Sequence, residues 1–145
     1  MGAVDEGLRR ARFSNYGPNY NRFVVAPGVD IASSYKDNTY EYLSGTSMAT
    51  PFVTGLAGLI VSMARRNDRQ LSADDVYEII RETARPLGPA KGDTFLGEGI
   101  VDVKAALEAT KERIGGLGEP VGKVVEAGTR RRRAVGQRRR LTRNV

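Results

Sequence analysis

The 145-residue chain contains no cysteine, no histidine and no tryptophan. The missing cysteines exclude a disulfide framework and thiolate sites for zinc or iron–sulfur clusters. The missing histidines exclude more. Neither Ser–His nor Cys–His catalysis, nor a histidine-ligated metal, can be run by these residues alone. Acidic groups are scarce in one region only. Residues 116–145 hold nine Lys or Arg and two Glu, while the rest of the chain is nearly balanced. The net charge of +6 therefore describes a tail rather than the body. A basic n-region followed by an apolar stretch is lacking at the start, so no signal peptide is expected. The compact apolar run, residues 51–64, is short for a membrane span. What remains has 40% apolar and 28% charged residues, the composition of an ordinary globular protein with room for one core.

Within the body, short apolar runs come first and long helical patterns follow. Residues 2–5 read as the end of a strand. Residues 6–12 are a polar turn, and Gly17-Pro18 opens a loop that continues to residue 22. Residues 23–26 are expected to form a buried strand stopped by Pro27-Gly28. Residues 29–33 alternate, which predicts a strand with one covered face, and residues 40–43 predict another after a turn. From residue 48 to 64, apolar residues occupy nearly every side of a helical wheel, the pattern of a central helix packed on several neighbours. Pro51 is expected near its first turn, where a missing N–H costs little. Ser72 followed by Asp74 and Asp75 marks the start of a second helix. Residues 97–101 predict a loop into a short strand, and Asp102 a cap for a third helix with Val103, Ala106, Leu107, Thr110 and Ile114 on one face. Strands, long helices and Gly-rich connections together predict an α/β layer protein.

Ser44-Gly45-Thr46-Ser47-Met48-Ala49-Thr50-Pro51 is the segment that carries chemistry. It places a serine hydroxyl where a glycine-containing turn meets a helix N-terminus. Free backbone N–H groups point outward there. The N–H of Ser47 could donate to a developing oxyanion, and Thr46 adds a hydroxyl nearby. Gly45 would permit the turn and the close approach of a substrate. The alternative is that Thr46 or Ser47 caps the helix and does nothing more.

This string resembles the nucleophile motif of the subtilisin-like serine proteases, the subtilases. Gly2-Ala3-Val4-Asp5 with Phe13-Ser14-Asn15-Tyr16-Gly17 resembles the family's strand and loop upstream of the nucleophile. Ala26-Pro27-Gly28-Val29-Asp30-Ile31 and Gly97-Glu98-Gly99-Ile100-Val101-Asp102 resemble later family segments, in the same order. The resemblance covers about residues 2–112. It implies the C-terminal portion of a subtilisin-like parallel-sheet α/β domain with a buried central helix, residues 1–114; the Gly/Arg-rich composition of residues 115–145 predicts a disordered basic tail after it. The resemblance also implies a serine endopeptidase acting on a peptide or protein through an acyl-enzyme on Ser47, with Gly45 and Thr46 at the turn and oxyanion site.

The family places a catalytic Asp, a catalytic His and an oxyanion Asn upstream of this region, in the chain order Asp, His, Ser. Here the chain is expected to begin after all three, so it should be inactive alone and need a missing N-terminal part. An α/β-hydrolase is disfavoured, because its His would follow the Ser. Phe52 stands where His is frequent in the family, and Thr54 where a small residue is usual. Phe23 replaces an Asp with which some members bind a weak cation, so no metal is expected, and no cofactor. A non-catalytic remnant or interaction fragment is the first alternative. A nucleic-acid-associated protein using the arginine tail is the second, disfavoured because the tail has no aromatic residue for base stacking. Family habit implies secretion of the full-length protein.

Overall fold

The computed structural model describes residues 1–17, 23–88, 92 and 94–116. The loop residues 18–22 and the arginine tail lie outside the described residues. Two parallel strands form the base: β1 (Gly2–Val4) and β2 (Val25–Pro27), with Ala3 opposite Ala26. β2 starts two residues later than residue 23. Phe23 instead folds into the core beside Val4, Val25 and Ile100.

Two strands alone make no stable sheet, and this one borrows both borders from its own loops. On the β1 side, the Ala3 N–H donates to Ser14 Oγ at 2.9 Å, and the Ala3 carbonyl accepts from the Ala11 N–H at 3.0 Å. The Asp5 N–H donates to the Arg9 carbonyl at 2.9 Å. On the β2 side, Val25 donates to the Gly99 carbonyl at 2.9 Å and accepts from Val101 at 3.1 Å. Ile100 then exchanges both of its backbone bonds with Arg85. Of the loop into a short strand expected over residues 97–101, the loop is found and the strand is reduced to bridges at Ile100. Gly99, at φ +117°, turns the chain out of the extended path, and any side chain there would strike the Arg85 carbonyl.

A hairpin, β3 (Ile31–Ser34) and β4 (Tyr40–Leu43), follows β2. The covered face expected of β3 is not found. Tyr40 and Tyr42 lie on one face of the hairpin, 79% and 72% exposed, and among the described residues the two strands pair only with each other.

Helix α1 (Thr46–Arg66) crosses the middle of the molecule, touching β1, β2, α2 (Ala73–Thr83) and α3 (Val103–Gly116). It begins two residues earlier than expected. Leu56, Ile60, Val76, Ile79, Ile80, Ala84, Ala106 and Val24 make the main core. The α2 start is as expected. Ser72 Oγ accepts from the Asp75 N–H at 3.1 Å, and the Asp75 carboxylate accepts from the Ser72 N–H at 2.9 Å, a closed capping box. The Ser72 hydroxyl, which donates to the same carboxylate at 2.6 Å, and the Ser72 N–H, with Arg113 nearby, hold the Asp75 carboxyl below its ordinary range. Arg113 bridges Asp75 and Glu82, fastening α3 to α2. Asp102 Oδ1 accepts from the Ala105 N–H at 2.9 Å, capping α3. That helix runs two residues past the expected division at residue 114. It buries Ala106, Thr110 and Ile114, while Val103 is exposed.

The encircled burial expected of α1 is replaced by a one-sided arrangement. Ala49, Leu56, Ile60 and Ala64 are buried. The opposite face carries Ser47, Pro51, Thr54, Gly55, Gly58 and Ser62, all exposed. Phe52 and Leu59 flank that face, 44% and 51% exposed. With 21 residues and a mean hydropathy of 1.5, α1 is long and apolar enough to cross a membrane by length and composition. Its packing against two strands and two helices assigns it to the domain instead.

Candidate active site

The turn between β4 and α1 is pinned at two points to the segment that follows β2. The Gly45 N–H donates to the Gly28 carbonyl at 2.8 Å. A Cβ at position 28 would lie 2.7 Å from Ala3 Cβ and 2.8 Å from the Gly45 carbonyl oxygen, so only glycine lets the two backbones meet. Beside this contact, the Asp30 N–H donates to Ser44 Oγ at 2.9 Å, and the Ser44 hydroxyl donates to Asp30 Oδ1 at 3.3 Å. Asp30 holds a left-handed φ of +52°, which a short polar side chain tolerates better than most.

Gly45 is the N-cap of α1, with no capping bond from a side chain. Its φ of 167° is extended backbone that any residue adopts, so the glycine required for the turn is Gly28. Thr46 and Ser47 are the first and second helical residues. Neither caps the helix, and the capping alternative falls. The Met48 and Ala49 N–H groups both close onto the Gly45 carbonyl, at 3.0 and 3.3 Å. Helix geometry leaves the Thr46 and Ser47 N–H groups at the open, electropositive end. No acid stands in the first turn to neutralise it. The Ser47 side chain is exposed. Thr46 Oγ1 accepts from Asn15 Nδ2 at 3.4 Å, which brings the 13–17 loop to the turn.

Pro51 lies deeper than the first turn. As the sixth helical residue it faces the Ser47 carbonyl, which therefore lacks its i+4 donor. Ser47, Thr46 and Gly45 are thus together at one helix end. Gly28, Asp30, Ser44 and Asn15 hold that end and were not singled out from the sequence. Pro27-Gly28 had reason to be read as a strand stop. The Ser44–Asp30 and Asn15–Thr46 contacts span 14 and 31 residues, with no local pattern to signal them. A cleft lined by residues 4–9, Pro27 and residues 29–31 opens beside the turn, at the C-terminal ends of β1 and β2. At its rim the Arg9 N–H and guanidinium hold the Asp5 carboxyl below its ordinary range. Among the described residues, no three His, Cys, Asp or Glu side chains are grouped to hold a metal ion.

A parallel strand pair with a serine-bearing helix N-terminus at its carboxyl end is an α/β arrangement of the kind that places ligand sites beyond the carboxyl ends of the strands. The model of the subtilase family matches residues 1–109, and the chain belongs to that family. Subtilisin DY of Bacillus licheniformis is 42% identical over 108 residues, 74% of this chain and 36% of that protein. The thermophilic serine proteinase of Bacillus sp. (strain AK1) is 57% identical over 67 residues, 46% of this chain and 16% of that protein. Among solved structures, the patellamide maturation protease PatA superposes with a TM-score of 0.68 at 31% identity, covering 77% of this chain and 42% of that one. The chain thus spans little more than a third of the length of subtilisin DY.

Proposed function

We propose that this chain carries the nucleophile-bearing part of a subtilisin-like serine endopeptidase, with Ser47 as the acylating residue. Ser47 attacks the scissile carbonyl, its own N–H and the Thr46 hydroxyl serve the oxyanion side, and Gly45 shapes the approach. The base, the residue that orients it and the oxyanion Asn come from polypeptide outside these 145 residues, as the absence of histidine requires. The substrate is a peptide or protein, and by family habit the full-length protein is secreted. Residues 1–114 form the enzymatic body and residues 115–145 an appended basic tail.

One observation carries this reading: the exposed serine and the bare small-residue face of α1 are on the same side of one helix. Residues 54, 57, 58, 61, 62, 65 and 66 line an open groove along that side. A Cβ at Gly55 or Gly58 would meet nothing within 4 Å. Two glycines weaken a helix interior by about 1 kcal/mol each unless a neighbouring backbone uses the space they leave. A covering polypeptide laid there also reaches Ser47.

The test is covalent labelling with a fluorophosphonate. The isolated chain should not react, because a serine hydroxyl without a base is a weak nucleophile. Addition of a subtilase N-terminal polypeptide bearing the Asp, His and Asn should produce labelling, and Ser47→Ala should abolish it. Labelling of the isolated chain would overturn the mechanism. A stable complex that never labels would favour a non-catalytic remnant.

A further inference from the structure

Loop 13–17 is held far more firmly than its surface position requires. Ser14 is 3% exposed; its hydroxyl accepts from the Ala3 N–H and donates to the Asn15 carbonyl at 3.1 Å. Arg10 donates to the Ser14 carbonyl at 3.1 Å. The same guanidinium stands 4.7 Å from the centre of the Tyr16 ring and 5.5 Å from that of Phe95. The two rings are 5.2 Å apart and inclined at 32°. The Gly17 N–H donates to the Thr94 carbonyl at 3.1 Å. Residues on both sides of Asn15 are thereby fixed, by a cation stacked on two rings and by four hydrogen bonds. Among the described residues, the side chain they present makes one hydrogen bond, from Asn15 Nδ2 to Thr46 Oγ1 at 3.4 Å.

We propose that Asn15 is a positioning residue for Thr46, and that Arg10, Tyr16 and Phe95 clamp it in place. A hydroxyl has one proton to donate and accepts elsewhere. With Asn15 donating into the Thr46 oxygen, the Thr46 proton is turned away from the loop and left for an oxygen that gains charge beside Ser47. Donation into a hydroxyl also strengthens the bond that hydroxyl then makes. Left alone, a threonine hydroxyl spends its proton on nearby backbone carbonyls. The inference rests on the reading of Ser47 as nucleophile. It adds the group that orients the oxyanion donor and the device that holds that group.

The decisive experiment measures three-bond couplings that report the Thr46 χ1 rotamer in the isotopically labelled full chain. In the wild type they should indicate one rotamer. In Asn15→Ala they should average toward several, with the melting midpoint unchanged because Asn15 is exposed. Arg10→Met should produce the same averaging at a distance, and Arg10→Lys should restore part of the single-rotamer values. In the assembled enzyme, Asn15→Asp should lower kcat about tenfold with KM unchanged, because a carboxylate takes the Thr46 proton that Asn15 leaves free. Couplings in Asn15→Ala identical to the wild type would overturn the proposal whatever the activity, and so would an unchanged kcat in Asn15→Asp. A wild-type assembly that never labels at Ser47 would instead sink the peptidase reading and leave the coupling result intact.

Discussion

The sheet border and the outward face of α1 belong to one core and are finished in opposite ways. The border beside β1 is closed by the chain itself, through Ser14, Ala11 and Arg9. The helix face is left open, with Phe52 and Leu59 half exposed and two glycines facing empty space. An uncovered strand edge recruits any other strand, since its unpaired backbone groups carry no sequence information. A bare helix face of small residues accepts only a surface of matching shape. At the β1 border the indiscriminate hazard is removed by the chain itself, and on α1 the selective surface is kept.

Substitutions break the comparison most sharply on the two sides of α1. Leu56→Ala, on the covered side, should destabilise the chain by about 2–5 kcal/mol in urea unfolding, because Leu56 is 1% exposed within the main core. Leu59→Ser, on the open side, should leave the unfolding midpoint nearly unchanged and reduce self-association measured by sedimentation. Equal losses at both positions would mean that α1 is covered on both sides in solution.

Next in size is Gly28→Ala, where the new methyl group would press on Ala3 and on the Gly45 carbonyl; a loss of about 1–3 kcal/mol is expected. Ser14→Ala should cost about 1–2 kcal/mol by orphaning the Ala3 N–H, and it should raise the aggregation rate, since it reopens the sheet border. Gly58→Ala should act in the reverse direction. It should stabilise the isolated chain by up to about 1 kcal/mol and weaken assembly with the base-bearing polypeptide, because the methyl group fills the groove. Stabilisation without loss of assembly would show that nothing packs closely there.

The smallest effect belongs to Asp75. Its carboxyl titrates below its unfolded value, so its contribution is present above about pH 4 and is lost as pH falls through the folded value. Asp75→Asn should flatten the acid limb of stability, followed by chemical unfolding at a series of pH values.

Legibility in the sequence followed the range of each interaction. The Ser72–Asp75 capping box and the Asp102 cap act over three residues and were readable in place. The string from Ser44 to Pro51 that resembles the family motif was readable because one short segment carries it. The wheel of apolar residues on α1 was readable as a helix that needs cover on several sides, but which side goes uncovered was not, since a hydrophobic pattern records what a helix can bury rather than what is there to bury it. The Gly28–Gly45 contact, the Asp30–Ser44 lock and the Asn15–Thr46 bond were not readable. Each joins distant segments through residue types that also occur in ordinary turns. The loop at residues 97–99 was readable from its glycines, but the short strand after it is only bridges at Ile100, because Gly99 is a backbone crossing against Arg85 that no local pattern signals.

Pro51 has a consequence for timing. The ladder of α1 is interrupted one turn after it begins, so the turn bearing Ser47 is joined to the remaining helix by one bond fewer than any other turn. Opening of that first turn need not propagate. Local fluctuations at the serine are expected to be decoupled from the cooperative loss of the helix below it. The serine-bearing end is expected to sample its arrangements on a faster clock than the scaffold that carries it.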